Sequence, residues 1–236
     1  MNSDFIKKMV NDRQIELNRY SIFVTALEHA RQLSGFDKET RMENRLLLDI
    51  NNNSILELGQ SQIGLINYLL ILDMLGSVFK KVASEAKEKK RNSITYVLEQ
   101  FSILNDKRDR DAIKALRNCL AHNYSLLNIP EWKDESDIKY GKENIKTNAK
   151  LEANELHAFS ICWKKQPSLI KYPDNANRLT KSNPLRENKH YTEICAERLR
   201  DLVEGIFQQI KEGVNNGSVG SDMSDEEIKS RFTYCH

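Results

Sequence analysis

The chain has 236 residues, of which 39% are hydrophobic and 30% charged, with only 4 prolines and 9 glycines. This composition argues against a disordered chain or a β-sandwich and favours a soluble, mainly α-helical protein. The formal net charge of +2 neither requires nor excludes a nucleic-acid partner, because a local basic face is enough for binding.

The cysteine pattern and the first residues indicate a cytoplasmic protein. The four cysteines are widely separated and form no Cys-x-x-Cys pair, as expected of reduced thiols without a disulfide framework. The opening sequence "MNSDFIKKMVNDRQ" has charges where a signal peptide has its apolar core. We therefore expect cytoplasmic localisation.

Two regions precede the most apolar segment. Apolar residues recur at helical spacing over 4–33, which predicts one long or two short helices, with Ser3 as cap and Gly35 just past the end. Region 41–58 contains "RLLLDINNNSILEL". It fits either two short strands around an Asn-rich turn or a broken helix.

The most apolar run extends from Ile63 to Phe79 and contains two polar residues, Asn67 and Asp73. It is also shorter than the roughly 20 apolar residues that cross a bilayer. The run therefore predicts a buried core helix, capped by Ser61 and ending near residue 86, rather than a membrane span.

Further helices are predicted at 93–104 and from Asn105 or Asp106 through the stretch "ALRNCLAHNYSLL" at 115–127. Beyond it, "HAFSICW" and "SLIKYP" flank "KKQP", which is typical of a β-hairpin. The predicted organisation is a helical bundle core at 1–130, an irregular insertion with this hairpin at 131–185, a C-terminal helix that returns to the bundle at 186–214, and a flexible tail at 215–236.

The stretch 115–127 separates into faces on a helical wheel. Ile113, Leu116, Leu120 and Leu127 form one apolar stripe, and Arg117 lies at its border. Asn118 and His122 share another side with the small residues Ala112, Ala115 and Cys119. Small residues there suit close approach of a second helix or a ligand. The long Arg117 side chain can reach round to this polar side.

Residues 117–124, "RNCLAHNY", resemble the Arg-x4-His-x-Tyr motif of the HEPN superfamily, in which a polar residue such as Asn commonly follows the Arg. Arg231 and His236 repeat the bare spacing but lack both the Asn and the Tyr. Requiring these two residues lowers the chance expectation to the order of one in a thousand.

The resemblance implies a mainly α, HEPN-like helical bundle with a small β-hairpin insertion, dimeric through the motif helix. Many members of the superfamily are metal-independent ribonucleases and others are noncatalytic. Several are toxins of toxin-antitoxin or phage-defence systems, and some pair with a small nucleotidyltransferase antitoxin that adenylylates the motif tyrosine. The resemblance thus implies an RNA substrate, tRNA or mRNA, no cofactor, and Tyr124 as a possible modification site.

The residue types suit RNA cleavage without a metal. Such cleavage needs a base for the 2′-OH proton, an acid for the leaving 5′-oxygen and a cation for the charge on phosphorus. His122 is the candidate base and acid, Arg117 the phosphate stabiliser and Asn118 the orienting residue. Arg117 and His122 diverge by about 140° on the helix, so two facing copies would converge on a phosphate better than one.

Other interpretations stay open for each residue. His122 fits a packing or capping histidine, Arg117 an ion pair with Asp111 or another carboxylate, Asn118 a hydrogen bond across an interface and Tyr124 an interfacial tyrosine. The competing function is a noncatalytic HEPN-like dimer that binds RNA, a nucleotide or a protein.

Other chemistries have weaker support. Cys119 with His122, and His157 with Cys162, offer only two ligands each, so no metal site is predicted. Basic clusters at 80–91 and 107–110 fit either guidance of an RNA backbone or an ordinary solvated surface.

Overall fold

The computed structural model describes residues 4–34, 46–48, 54–57, 62–82, 92–123, 126–128, 157–163, 166–172 and 191–235. This part of the chain is mainly helical, with short strands between the helices. The helices are α1 (Asp4–Asn11), α2 (Ile22–Leu33), α3 (Gln62–Val78), α4 (Ser93–Phe101), α5 (Lys107–Asn123), α6 (Ala196–Asn216) and α7 (Asp225–Phe232). The strands are β1 (Gln14–Glu16), β2 (Arg19–Ser21), β3 (Leu46–Leu48), β4 (Ser54–Glu57), β5 (Lys80–Lys81), β6 (Leu127–Asn128), β7 (His157–Cys162), β8 (Ile170–Lys171), β9 (Tyr191–Cys195), β10 (Val219–Gly220) and β11 (Thr233–Cys235).

The first region folds as two helices separated by a hairpin that the helical spacing did not predict. Strands β1 and β2 pair antiparallel, and the turn between them places Asn18 at φ 58°, a left-handed conformation that Asn tolerates. Ser21 ends the hairpin and caps α2, and its Oγ also donates to the Met9 carbonyl at 2.6 Å. The predicted caps Ser3 and Gly35 lie outside the described residues.

Helix α3 is the centre of the bundle and contacts α2, α4, α5 and α6. It is the buried helix predicted from the apolar run, with Leu72 and Leu75 fully buried. The helix ends at Val78, earlier than the predicted residue 86, because β5 follows and pairs with β10. No helix in the described part of the chain has the length and apolar character needed to cross a membrane. Ser61 lies outside the described residues.

The ambiguous region 41–58 contains an antiparallel pair, β3 and β4, so the two-strand alternative is confirmed. Helix α4 ends at Phe101, three residues before its predicted end. Helix α5 begins just after Asp106, whose carboxylate accepts from the Arg108 amide at 2.8 Å, as predicted from the sequence.

The four-stranded sheet contradicts two predictions. Its order is β6-β7-β9-β8, so β7 and β8 are separated by β9 and do not form a hairpin. Strand β9 occupies the start of the predicted C-terminal helix, which begins at Ala196 instead of 186. Tyr191, Ile194 and Cys195 follow helical spacing, but the parallel pairing with β7 makes this segment a strand.

The last residues also differ from the predicted flexible tail. Ser224 Oγ accepts from the Glu227 amide at 3.2 Å and caps α7, whose Ile228 and Phe232 are buried. Strand β11 then pairs with β2 in a three-stranded sheet, and the Tyr234 ring stacks on Tyr20 with ring centroids 5.5 Å apart. These contacts bring β11 back onto the start of the chain.

Candidate active site

Four polar side chains from three helices meet beside the motif. Arg117 of α5 donates through Nη2 to Asp73 Oδ2 of α3, and through Nη1 to Asn118 Oδ1 at 3.0 Å. Ser93, the first residue of α4, donates to the other carboxylate oxygen, Asp73 Oδ1. We call Asp73, Ser93, Arg117 and Asn118 the Asp73 cluster.

A glycine in α3 allows the close helix packing that forms the Asp73 cluster. A Cβ added at Gly76 would lie 1.9 Å from the Ser93 carbonyl oxygen and 2.6 Å from its carbonyl carbon. Only glycine therefore allows the start of α4 to approach α3 this closely. Because Asp73 is three residues before Gly76, both lie on the same side of the helix, and Ser93 reaches the carboxylate.

The cluster lies at the rim of the core. The side chains of Arg117 and Asp73 are each 20% exposed, and Asn118 is half-buried. Leu116 and Leu120 are buried on either side of Arg117 in sequence. An ion pair in such a place is screened less than one on an open surface. The planar guanidinium presents its donors in a fixed fork, so the bond to Asp73 determines which way the group faces.

The structure brings two of the predicted site residues together. Arg117 reaches round the helix to Asn118, as the sequence predicts. Its acidic partner is Asp73 rather than Asp111, which pairs with Lys107 at 2.5 Å. The backbone of His122 belongs to α5, one turn beyond Asn118, and its side chain lies outside the described part. Tyr124 also lies outside the described residues.

The small-residue side of α5 is not a free surface. Ala112, Ala115 and Cys119 are buried at 8% exposure or less and belong to the same core as the leucine stripe. The close approach that these three small residues allow is therefore made within the chain, against its own core. An interface at the motif would use the half-buried Asn118 and its neighbours instead.

Cys119 is a poor metal ligand in this setting. Burial raises the pKa of its thiol to about 12, which disfavours the thiolate that zinc binds. Within the described ranges, no group of three or more His, Cys, Asp and Glu side chains is placed to hold a metal ion.

The basic residues at the start of α5 are engaged within the chain. Arg110 donates to the Leu104 and Asn105 carbonyls at 2.7 and 2.8 Å, and thereby fixes the loop before the helix. The Arg108 guanidinium lies 3.8 Å from the Tyr172 ring centroid, and the Tyr172 hydroxyl donates to a carboxylate of α5 at 2.8 Å. These contacts favour a structural role for the 107–110 cluster over guidance of RNA.

Asp73 is the residue that the motif analysis missed. It precedes Arg117 by 44 positions, so no local spacing connects the two. The available signal was a carboxylate within an otherwise apolar helix, since a buried charge requires a partner.

No family model, curated protein or solved structure matches this chain. The resemblance to the HEPN superfamily therefore depends on the motif residues alone.

Proposed function

We propose that this protein is a metal-independent endoribonuclease of the HEPN type. In this proposal Arg117 stabilises the charge that develops on the scissile phosphate, Asn118 orients the reacting groups, and His122 transfers protons. Asp73 is a positioning residue that holds the Arg117 guanidinium. The reaction needs no cofactor.

The observation that carries the proposal is the hydrogen-bonded chain from Ser93 through Asp73 and Arg117 to Asn118. An arginine that is fixed at the core rim beside an amide is preorganised to bind a phosphate, because little reorganisation accompanies binding. A flexible, fully exposed arginine would not have this property.

The proposed reaction is an intramolecular transesterification. The phosphorus atom loses its bond to the 5′-oxygen and forms a bond to the 2′-oxygen. One His122 accepts the 2′-OH proton, the 2′-oxygen attacks phosphorus, and the 5′-oxygen leaves with a proton from a second histidine. A homodimer that pairs two motif helices would supply both histidines and two arginines. The products are a 2′,3′-cyclic phosphate and a 5′-hydroxyl.

A cellular role follows from the same resemblance. We place the protein among cytoplasmic toxins or phage-defence effectors that cleave tRNA or mRNA. A nucleotidyltransferase antitoxin would silence it by adenylylation of Tyr124, which follows His122 by two residues in the sequence. A gene for a small nucleotidyltransferase beside this one would support that role.

A noncatalytic dimer that binds RNA, a nucleotide or a protein is the second candidate. The observation that favours it is the Arg117–Asp73 ion pair, because the carboxylate offsets the positive charge that a phosphate would meet. In that case the cluster stabilises the helix packing and the motif has no reaction to perform.

The experiment that separates the two is cleavage of total RNA and purified tRNA in EDTA by the wild type and by His122→Ala. His29→Ala is the matched control, because His29 is an exposed histidine on α2. We expect cleavage by the wild type and by His29→Ala, and none by a folded His122→Ala dimer. Equal behaviour of all three proteins would favour the noncatalytic alternative.

A further inference from the structure

Two cysteines that are far apart in sequence face each other across neighbouring strands. Strands β7 and β9 run parallel, and their register pairs Cys162 directly with Cys195 at the end of both strands. Neighbouring strands lie about 4.8 Å apart, which falls within the Cα separation of about 4.4–6.8 Å that a disulfide spans. All four cysteines of the chain are thiols in this structure.

The two side chains lie on the same face of the sheet. Side chains alternate along a strand, and the preceding pair, Ile161 and Ile194, packs into the core. Cys162 and Cys195 therefore lie on the opposite face. Consistent with this, Cys195 is 1% exposed but is not part of the main core cluster.

Gln166 and Leu169, just before β8, contact the two cysteine residues. Gln166 donates through Nε2 to Cys162 Sγ at 2.9 Å, and its carbonyl accepts from Arg198 Nε at 2.7 Å. The Cys195 amide donates to the Leu169 carbonyl at 2.9 Å. Cys162 stays half-buried, so a small oxidant can reach one sulfur of the pair while the other is shielded.

We propose that Cys162 and Cys195 form a reversible intramolecular disulfide when the protein meets hydrogen peroxide. Cys162 Sγ attacks one peroxide oxygen, so an S–O bond forms, the O–O bond breaks and the first water leaves with the thiol proton. Cys195 Sγ then attacks the Cys162 sulfur, so the S–S bond forms, the S–O bond breaks and a second water leaves. The two sulfurs lose two electrons, and the peroxide gains them.

The bridge would link a strand that contacts the motif helix to the start of the C-terminal helix. Strand β7 pairs with β6, which follows the motif helix α5, and β9 leads directly into α6. Oxidation therefore ties β7, an inner strand of the sheet, to the residue that precedes α6. This proposal does not depend on ribonuclease activity, because its readout is the bond itself.

The test is oxidation of the full reduced chain with hydrogen peroxide, followed by blocking of the remaining thiols and peptide mass spectrometry. We expect a Cys162–Cys195 cross-linked peptide that has lost two hydrogens, in a chain that carries no intermolecular bond, and its disappearance after dithiothreitol. Separate blocking of both cysteines, irreversible oxidation of Cys162, or bridges only between chains through the exposed Cys235 would overturn the proposal.

Two variants test the order of the steps. Cys195→Ser removes the sulfur that attacks the oxidised Cys162. We therefore expect the Cys162 sulfenic acid to accumulate and to react with dimedone. Cys119→Ser is the control, because Cys119 lies in α5 and not in the strands that the proposed bridge joins. We expect this variant to form the Cys162–Cys195 cross-link like the wild type. If Cys195→Ser gives no more dimedone adduct at Cys162 than the wild type, Cys162 is not the first sulfur oxidised.

Discussion

Replacement of Asp73 by Asn tests whether the carboxylate holds the Arg117 guanidinium. The change keeps the shape of the side chain but removes the negative charge of the carboxylate, whose oxygens accept hydrogen bonds from Arg117 and Ser93. Hydrogen bonds to charged groups contribute roughly 1.5–3 kcal/mol each, and the 20% exposure of both ion-pair partners reduces that value through solvent screening. We expect Asp73→Asn to lower the free energy of unfolding by about 2 kcal/mol, which corresponds to about 4–8 °C in Tm.

The assay is urea unfolding of Asp73→Asn, Arg117→Gln and the double variant. A double-mutant cycle isolates the pairwise coupling, which we expect to be about 1–2 kcal/mol. Asp222→Asn is the matched control, because Asp222 also forms an ion pair, with Lys80, but its side chain is 73% exposed. We expect this variant to lose less than about 1 kcal/mol of the free energy of unfolding. Additive effects of Asp73→Asn and Arg117→Gln, or equal losses in Asp73→Asn and Asp222→Asn, would refute the positioning role.

Two further predictions concern packing and pH. Gly76→Ala places a methyl group against the Ser93 carbonyl, so we expect a loss of about 1–3 kcal/mol in urea unfolding, whereas Gly205→Ala, with open space around its Cβ, should be neutral or stabilising by up to about 1 kcal/mol. Equal effects would contradict the close α3–α4 packing. Burial and the Asp109 carboxylate raise the pKa of Tyr172, so the unfolded chain loses this proton first as pH rises above about 10. Stability should therefore fall above that pH, and Tyr172→Phe should flatten the decline; an unchanged slope would contradict the buried hydrogen bond.

Local patterns predicted the start and the buried face of the motif helix but not its end, because α5 ends at Asn123 and Leu127, which was expected in the apolar stripe, lies in β6. The start of α5 follows from Asp106 as a cap, and the buried Ile113, Leu116 and Leu120 follow from helical spacing. The reach of Arg117 to Asn118 follows from the same geometry, because neighbouring residues on a helix differ by only 100°.

The errors have a common physical origin in contacts between distant residues. Because β9 pairs with β7, β7 and β8 do not form a hairpin and α6 begins later than predicted. The spacing of residues within one strand does not indicate which distant strand pairs with it in parallel. The end of the chain is ordered by pairing of β11 with β2. One local signal was missed there, since Ser224 followed three residues later by Glu227 is a capping box.

The candidate site also combines residues that local sequence identifies with residues that only the packing of distant helices brings together. Arg117 and Asn118 are neighbours in sequence, and the motif identifies both. Asp73 comes to them through packing of α3 against α5, and Ser93 through the close approach at Gly76. In a sequence, such a carboxylate is recognised only through the need for a cation that offsets the cost of its burial.

The chemistry of the product ends is the most direct test of metal-independent RNA cleavage by attack of the 2′-oxygen. RNA cut by the wild type in EDTA is treated with phosphatase before and after mild acid, which opens a cyclic phosphate. We expect 2′,3′-cyclic phosphate ends, with a 5′-hydroxyl on the other fragment, because attack comes from the 2′-oxygen. Products with a 3′-hydroxyl and a 5′-phosphate, or cleavage that stops in EDTA, would contradict a metal-independent mechanism at Arg117 and His122.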